Sequence, residues 1–248
     1  MSDFLNQVVW VTGSSRGIGE ACVKKFASRH ASVVIHYHKE RKRALEVQKL
    51  VEEEYQVPTL LVQGDISKEE DVKRMVDEVI SHFGHIDVLV NNAAISRDSY
   101  IEEKTKEEFK EVLGTNLIGT FLMTKYVASR MISKNHGNII FIASTNGIDT
   151  NNVWSIDYDA SKAGVISMMR SFALQYAPTL RINSIAPGWV DTEDVLEMNP
   201  DTYHEEKEKC LLKRFAKPEE IASVVCFIAS SDASYINNSV IRVDGGSI

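Results

Sequence analysis

Hydrophobic residues occur along this chain in two alternating patterns. Short runs are apolar at nearly every position and rich in β-branched residues, whereas the longer segments between them repeat their apolar residues every three or four positions. A run that is apolar throughout predicts a strand covered on both faces, and the helical spacing predicts the helices that cover it. The pattern therefore predicts an α/β fold of three layers, with a parallel sheet between two layers of helices. The predicted strands are Gln7–Val11, Ala31–Ile35, Thr59–Gln63, Ile86–Val90, Asn138–Ala143, Arg181–Ile185 and Val240–Val243.

The order of these elements predicts a single domain over residues 1–248. The length of 248 residues and a hydrophobic content of 44% suit one enzyme-sized domain, and no repeat or Pro/Gly-rich linker interrupts the alternation. Only the segment Glu193–Arg214 departs from it, because charged residues of both signs are dense there. Such a segment is either a mobile lid over a site or a solvated pair of helices. Its apolar residues would pack on a bound acyl chain or on the protein itself; they are Val195, Leu196, Met198, Leu211 and Leu212.

Charge and cysteine content exclude several classes of protein. Lys and Arg number 28 and Asp and Glu 35, a net charge of −7, so no basic excess is present to bind nucleic acid phosphates. Cys22, Cys210 and Cys226 are odd in number and lack metal-ligand spacing, which predicts neither disulfides nor a metal site. Met1–Asn6 reaches a strand without an apolar signal core, and no apolar run approaches the roughly 18 residues of a membrane span. We therefore expect a cytoplasmic protein without membrane contact.

A glycine-rich stretch follows the first predicted strand and leads into a helix. It reads Thr12-Gly13-Ser14-Ser15-Arg16-Gly17-Ile18-Gly19. Glycines allow a tight turn, let the backbone approach a pyrophosphate and let the helix pack closely on the strand, while the N–H groups of the helix N-terminus attract phosphate. A strand, a glycine turn and a helix in this order are the context of a dinucleotide-binding fingerprint. The alternative is a tight turn that binds nothing.

Basic residues follow the second predicted strand, at the position where an acidic residue would bind the ribose 2′-hydroxyl of NAD. The sequence there is His36-Tyr37-His38-Lys39-Glu40-Arg41-Lys42-Arg43. Cations at this strand end suit a 2′-phosphate, so NADP(H) is favoured and NAD(H) remains the alternative. A basic run can also be the solvated face of an exposed helix.

A serine, a tyrosine and a lysine form the candidate catalytic group. Ser144 follows the fifth predicted strand, and Tyr158 precedes Lys162 by four residues at the start of a helix. Residues four apart share a helix face, so the lysine ammonium favours ionisation of the phenol. A free phenol titrates near about 10, and this help lets it act as an acid or base at neutral pH. A Tyr and a Lys at this spacing are common by chance, so their position after the fifth strand carries the argument.

Together these motifs resemble the short-chain dehydrogenases/reductases, and the resemblance covers essentially the whole chain. It implies the Rossmann fold, with a doubly wound, seven-stranded parallel sheet in one domain. The 3-oxoacyl-[acyl-carrier-protein] reductase type is most similar, on Ser14–Gly19, Ala160–Gly164 and Val243–Gly246. Besides the glycine loop, the motifs that occur in the family's order are Asp65, Asn91-Asn92-Ala93, Asn116, Ser144, Tyr158-Asp159-Ala160-Ser161-Lys162 and Pro187-Gly188 to Thr192.

The resemblance implies a role for each catalytic residue. Tyr158 is the general acid/base, and Ser144 positions the substrate oxygen. Lys162 lowers the pKa of the tyrosine and holds the nicotinamide ribose, and Asn116 supports a water that links Lys162 to solvent. In such a site two hydroxyl groups polarise a carbonyl oxygen while the nicotinamide supplies hydride.

The resemblance also implies the cofactor contacts. Individually some of these residues have structural alternatives, since Asp65 is also a candidate helix cap and Asn116 a candidate for bonding to the backbone. The implied contacts are Gly13, Ser15, Arg16, Gly17, Ile18 and Gly19 in the glycine loop, His38 and Lys39 toward the 2′-phosphate, Asp65 and Ile66 near adenine, Asn92, Ala93 and Ala94 near the ribose and phosphates, Tyr158 and Lys162 near the nicotinamide ribose, and Pro187, Gly188, Val190 and Thr192 near the nicotinamide.

Two positions depart from the family pattern. Ala94 stands where the family usually has glycine, so a methyl group lies where the backbone approaches the cofactor. Ile236-Asn237-Asn238-Ser239 replaces the usual glycine before the last strand, and asparagine tolerates the left-handed conformation that such a turn needs.

The leading hypothesis is an NADPH-dependent reductase of a ketone, with a 3-oxoacyl thioester as one candidate substrate. A sugar or polyol dehydrogenase and a non-catalytic sensor of the cofactor ratio are the alternatives. An acyl carrier protein as partner is left open, because such carriers are acidic and this chain has a net charge of −7. By family analogy we expect a homodimer or homotetramer, built on Lys106–Met131, Ala160–Ala177 and Val240–Val243.

Overall fold

Seven parallel strands form the central sheet of the computed structural model, which describes residues 4–150, 152–197 and 199–246. The strand order is β3-β2-β1-β4-β5-β6-β7, and all neighbouring strands are parallel. The predicted α/β fold with a doubly wound sheet is confirmed. The strands are β1 (Val8–Val11), β2 (Ser32–Tyr37), β3 (Thr59–Gln63), β4 (Val88–Asn91), β5 (Asn138–Ile142), β6 (Arg181–Pro187) and β7 (Val240–Val243).

Helices cover both faces of this sheet. One apolar core joins the sheet to α1, α2 and α9, and a second core joins the opposite face to α3, α5 and α6. Both faces of the central strands are therefore buried, which explains why their sequences are apolar throughout. The helices are α1 (Gly17–Ala27), α2 (Arg41–Tyr55), α3 (Glu69–Phe83), α4 (Lys106–Leu113), α5 (Thr120–Ser133), α6 (Ile156–Tyr176), α7 (Glu193–Leu196), α8 (Pro200–Lys209) and α9 (Pro218–Ala229).

Strand boundaries differ from the prediction mainly at the carboxyl ends. Strand β2 continues through His36 and Tyr37, and β6 continues to Pro187. Both extensions pair with a neighbour, since His36 lies in register with Val62 and Pro187 with Val243. These strand ends were not predicted because they contain polar or proline residues, whereas a buried strand is expected to be apolar throughout.

The segment Lys106–Met131, which was expected to take part in self-association, is not one continuous α-helix. Between α4 and α5 the residues Gly114–Gly119 form a π-helix. Its last residue packs tightly, because a Cβ on Gly119 would lie 2.7 Å from the Ile66 side chain. The wider turn and the missing side chain together let this segment approach the loop after β3.

The order of the strands reverses between β1 and β4. In doubly wound sheets, ligands bind at this reversal, in the crevice outside the carboxyl ends of the strands. The loops after β1, β4 and β5 all lie on this edge and carry the predicted motifs. Among the residues described, no helix is both long and apolar enough to cross a membrane.

Candidate active site

Three glycines shape the loop between β1 and α1. Gly13 and Gly17 have φ angles of +61° and +57°, a conformation that favours glycine. A Cβ on Gly19 would lie 2.4 Å from the carbonyl oxygen of Gly13, so a side chain there cannot be accommodated. Helix α1 begins at Gly17, and its N-cap residue, Arg16, has no side-chain acceptor for the first-turn N–H groups. The loop therefore fits a pyrophosphate.

A hydrogen-bonded clamp joins this loop to the residues after β4. Thr12 Oγ1 accepts from the backbone N–H groups of Asn92 and Ala93, at 2.9 and 3.0 Å. The amide of Asn92 in turn donates to the carbonyl oxygens of Thr12 and Gly13, at 2.9 and 3.0 Å. Ala94, which replaces the usual glycine, is exposed beyond the clamp. The clamp fixes the two sides of the crevice at the sheet reversal.

His36 is part of the scaffold of this loop. Its side chain is buried; Nδ1 accepts from the N–H of Gly13 at 2.9 Å, and Nε2 is 3.1 Å from the carbonyl oxygen of Gly64. These contacts require the neutral tautomer with its proton on Nε2. Burial lowers the pKa of His36 to about 4. His36 therefore belongs to the glycine-loop support and not to the cations expected after the second strand.

His38 and Lys39 lie beyond β2, at an open cavity of about 470 Å³. His38 Nε2 is 3.9 Å from the Asp65 carboxylate, and its side chain is half exposed. Burial acts to raise the pKa of Asp65, but hydrogen bonds from Ser67 and the charges of His38 and Lys68 hold it below its ordinary value. The cavity thus combines cations with an ionised carboxylate.

Asp65 and Ile66 have local structural contacts of their own. Asp65 Oδ1 accepts from the N–H and the hydroxyl of Ser67, at 3.0 and 2.7 Å, in the turn before α3. Ile66 is buried against Gly119 of the π-helix. Asp65 therefore stabilises the turn that leads into α3, although α3 itself has Lys68 as its N-cap.

Ser144, Tyr158 and Lys162 are brought together beside the end of β5. The Ser144 side chain lies beside the Tyr158 phenol and acts to lower its pKa. Lys162 is buried on the same face of α6; its Nζ lies 5.3 Å from the centre of the Tyr158 ring and donates to the Ile142 carbonyl oxygen at 2.8 Å.

Burial shifts the pKa values of both ionisable groups in this cluster. Burial raises the pKa of Tyr158 to about 12, against the opposing effect of Ser144, so the lowering of this pKa that was predicted from the spacing to Lys162 is not seen. Burial lowers the pKa of Lys162 to about 8. At pH 7 the phenol therefore carries its proton and the lysine is charged.

Asn116 lies in the π-helix and its side chain is fully bonded to protein groups. Oδ1 accepts from the N–H of Ile95 at 2.8 Å, and Nδ2 donates to the Ile95 carbonyl oxygen at 2.9 Å and to Ser161 Oγ at 3.1 Å. Asn116 thus ties the loop after β4 to the residue that precedes Lys162. This side chain matches the backbone-bonding alternative, and any role in a water chain stays a prediction.

An unpredicted polar pair, Asn146 and Asp159, borders Ser144. Ser144 Oγ is 3.2 Å from Asn146 Oδ1, and Asn146 Nδ2 donates to Asp159 Oδ1 at 2.7 Å. A carboxylate only accepts, so Asp159 fixes the amide with its oxygen toward Ser144. Asp159 also accepts from Ser155 Oγ at 2.8 Å and from the N–H of Asn152 at 3.2 Å. In the sequence, Asp159 was recognisable as a candidate by its position next to Tyr158.

A buried ion pair, also unpredicted, lies on the other side of Tyr158. Lys104 Nζ is 3.0 Å from Asp157 Oδ2, with side-chain exposures of 4% and 0%. Lys104 further donates to the Arg97 carbonyl oxygen, and Asp157 Oδ1 accepts from the N–H of Tyr158 at 2.9 Å. The pair anchors the loop between β4 and α4 to the first turn of α6.

The residues expected near the nicotinamide follow β6. The N–H of Gly188 donates to the Val243 carbonyl oxygen at 3.1 Å, and a Cβ on Gly188 would lie 2.9 Å from Asp244. Val190 is buried, and the Thr192 side chain would lie 3.3 Å from a Cβ on Gly17. Thr192 thus borders the glycine loop, and Pro187 ends the strand that leads to this segment.

The segment Glu193–Arg214 contains α7 and α8, and aromatic contacts anchor it. Trp189 Nε1 donates to Glu206 at 3.0 Å, and the Tyr203 hydroxyl donates to Asp191 at 2.8 Å. The rings of Trp189 and Tyr203 both pack on Phe215, with centroids 5.7 and 4.6 Å apart. Among the predicted anchors, Leu196, Leu211 and Leu212 are more than half exposed, Val195 is partly exposed, and Met198 lies outside the described residues. The aromatic anchors were not predicted, and movement of this segment stays a prediction.

The fold and the site together define a nicotinamide-dependent oxidoreductase. They combine a seven-stranded parallel sheet, a dinucleotide-type glycine loop and a group of Ser, Tyr and Lys. Residues 13–247 match the family model described as enoyl-(acyl carrier protein) reductase. Similar proteins include a 3-oxoacyl-[acyl-carrier-protein] reductase of Aquifex aeolicus, 37% identical over 97% of this chain and 96% of its own. A glucose 1-dehydrogenase 2 of Bacillus subtilis is 34% identical, over 98% and 95%. The crystal structure of levodione reductase has a TM-score of 0.90 at 31% identity, covering 98% of this chain and 97% of that one.

The chain therefore belongs to the short-chain dehydrogenase/reductase family, whose members are NAD(P)-dependent oxidoreductases. The relatives differ in the compounds that their names state, which include a carrier-bound 3-oxoacyl group and glucose. The class of enzyme is thus established, and the resemblance stated from the sequence is confirmed.

Proposed function

We propose that this protein reduces a ketone to a secondary alcohol with NADPH as the hydride donor. The observation that carries the proposal is the convergence of Ser144, Tyr158 and Lys162 at the sheet edge that also bears the glycine loop. A proton donor and a nucleotide-binding loop on one edge are what hydride transfer to a carbonyl requires.

Each residue of the group has a distinct task in this proposal. In the ketone complex the Ser144 hydroxyl turns its proton from Asn146 Oδ1 to the carbonyl oxygen, the Tyr158 hydroxyl donates to the same oxygen, and Tyr158 gives its proton to the developing alkoxide. The raised pKa of Tyr158 supports the protonated state needed for reduction. The Lys162 ammonium beside the ring then stabilises the phenolate. The bound nicotinamide supplies the hydride.

The preference for NADPH rests on the cations after β2. His38 and Lys39 border an open cavity at this strand end, and Arg16, the N-cap residue of α1 in the glycine loop, lines a second cavity. A 2′-phosphate held at such a partly exposed site is screened by salt. Titration of cofactor fluorescence should therefore show tighter binding of NADPH than of NADH at low ionic strength and a smaller difference at high ionic strength. Equal affinities at low ionic strength would refute the preference.

Two classes of substrate follow from the relatives and the site. A 3-oxoacyl thioester is the first candidate, in line with the name of the Aquifex aeolicus relative. A sugar or polyol is the second, and the Asn146 amide beside Ser144 favours it, because a polar wall binds hydroxyl groups better than acyl chains. Cofactor oxidation or reduction with 3-oxoacyl thioesters, small diketones and sugars would separate them. Turnover of none, with cofactor bound, would support the non-catalytic sensor instead.

The proposed setting is a cytoplasmic homodimer or homotetramer. Apolar side chains on the π-helix, α5 and α6 support self-association, since Ile118, Phe121 and Leu174 are 52%, 40% and 76% exposed. Light scattering of the purified protein measures the subunit number. An acyl carrier protein stays open as a partner, and binding of an acylated carrier compared with the same acyl group on coenzyme A would test it.

A further inference from the structure

An ion pair links two distant parts of the chain beside the glycine loop. Arg43 lies in the first turn of α2, and its Nη1 donates to the carboxylate of Glu193, the first residue of α7. The two residues are 150 positions apart in sequence. Their side chains are 41% and 59% exposed, so solvent and solutes reach the pair. The contact joins the helix after β2 to the segment that follows β6.

This pair borders an open cavity of about 320 Å³. The glycine-loop residues Ser15 and Arg16 line the same cavity. Its ionisable lining consists of the cations Arg16 and Arg43 and the carboxylates Glu20, Glu46 and Glu193. Glu20 also pairs with Lys24, outside the cavity lining. The cavity is therefore not simply basic, and its affinity for an anion depends on the carboxylates that pair with Arg43, which are Glu193 and, 3.8 Å from Nε, Glu40.

The location of the cavity indicates which anion it meets. In a dinucleotide bound with its pyrophosphate at the N-terminus of α1, the adenosine ribose faces the end of β2 and the start of α2. A phosphomonoester on this ribose would meet Arg43 in this cavity, which is distinct from the cavity that His38 and Lys39 border. A guanidinium binds carboxylate and phosphate with the same fork of N–H groups, so one arginine cannot serve both fully at once.

We propose that Glu193 occupies Arg43 in place of the ribose 2′-phosphate and so sets the balance between phosphorylated and unphosphorylated cofactors. When a nucleotide is bound, its 2′-phosphate replaces Glu193 as the partner of the Arg43 guanidinium, and α7 is no longer ion-paired to α2. Pairing of Glu193 with Arg43 and binding of the 2′-phosphate therefore weaken each other by the same factor. The inference rests on the proposed nucleotide-binding function and adds a residue outside the glycine loop and β2 that determines cofactor choice.

Two adenosine nucleotides without nicotinamide test this directly. Adenosine 2′,5′-bisphosphate and 5′-AMP differ only in the 2′-phosphate, and calorimetric titration measures their binding without turnover. Glu193→Gln should tighten the bisphosphate about three- to fivefold, the range of one exposed ion pair, and leave 5′-AMP unchanged. Glu197→Gln is the matched control, because Glu197 is exposed on the same segment and loses the same charge. Equal effects of the two substitutions would overturn the proposal.

The cation side of the pair has its own matched comparison. Arg43→Gln should weaken the bisphosphate and abolish the effect of Glu193→Gln in the double variant, since both act through one guanidinium. Lys42→Gln removes a neighbouring exposed cation on α2 and should leave the effect of Glu193→Gln intact. An additive double variant of Arg43 and Glu193 would contradict the shared guanidinium.

Hydrogen exchange gives a second readout, at α7 itself. Amides of residues 193–197 should exchange faster with adenosine 2′,5′-bisphosphate bound than with 5′-AMP bound, and Glu193→Gln should remove this difference. Identical exchange in both complexes of the parent protein would overturn the release of α7. Failure of both nucleotides to bind would instead overturn the proposed nucleotide-dependent function, so the two failures are distinguishable.

Discussion

Substituting Lys104 with methionine removes the cation from a carboxylate that has no contact with solvent. Asp157 is 0% exposed, and Lys104 Nζ lies 3.0 Å from its Oδ2. Breaking a buried pair by removing one partner costs about 3–5 kcal/mol, because the remaining charge is left without compensation. For a chain of 248 residues the unfolding entropy is about 0.5 kcal/mol per degree near the midpoint. Lys104→Met should therefore lower Tm by about 6–10 °C.

Thermal unfolding at fixed protein concentration and physiological salt measures this loss. The double variant Lys104→Met with Asp157→Asn should recover most of it, since the amide keeps an acceptor for the N–H of Tyr158 and carries no charge. Lys125→Met is the control, because Lys125 pairs with Glu69 at 3.2 Å with side chains that are 47% and 43% exposed. A loss for Lys104→Met no greater than that for Lys125→Met would refute the reasoning.

Three further outcomes are expected. Tyr158→Phe should lower kcat by about 10²–10⁴-fold while cofactor affinity in a fluorescence titration stays unchanged, and parental turnover would contradict the acid role. Burial lowers the pKa of His36 to about 4, below its ordinary 6.5, so the unfolded chain takes up the proton first. The free energy of unfolding should thus fall as pH drops from 6.5 toward 4, and His36→Gln, which keeps a donor and an acceptor, should lose that part of the slope in urea titrations. Gly19→Ala should abolish nucleotide binding, because its Cβ would lie 2.4 Å from a carbonyl oxygen, whereas Gly114→Ala meets nothing within 4 Å and should bind normally in the same calorimetric assay.

The alternation of apolar runs and helical spacing was enough to predict the strands and their layers. These strands could be predicted from the sequence because both of their faces are buried, which requires an apolar residue at nearly every position. The prediction of strand ends failed where a polar residue is buried because its side chain bonds to other loops. His36 extends β2 because its ring bridges Gly13 and Gly64, and a histidine in a basic run gives no sign of this in sequence.

The candidate catalytic group was predictable because its members lie at the ends of strands and on one face of a helix. The contacts around it were not predictable, because they join separate elements of the fold. Lys104 meets Asp157 across 53 positions, and Asn146 meets Asp159 across 13 positions. Asp157 and Asp159 on either side of Tyr158 were visible, but only the fold shows that one contacts a lysine and the other the amide beside Ser144.

The π-helix between α4 and α5 makes this stretch sensitive to its length. Each residue of an α-helix advances by about 100°, and a π turn accommodates one extra residue. Deleting Gly114 would therefore rotate everything on one side of the turn by about 100° relative to the other. Either Asn116 would leave Ile95 and Ser161, or the buried residues of α5 would leave the core that they share with α3. A Cβ on Gly114 would meet nothing within 4 Å, so alanine fits at this position, whereas deletion of the residue breaks one of these two sets of contacts.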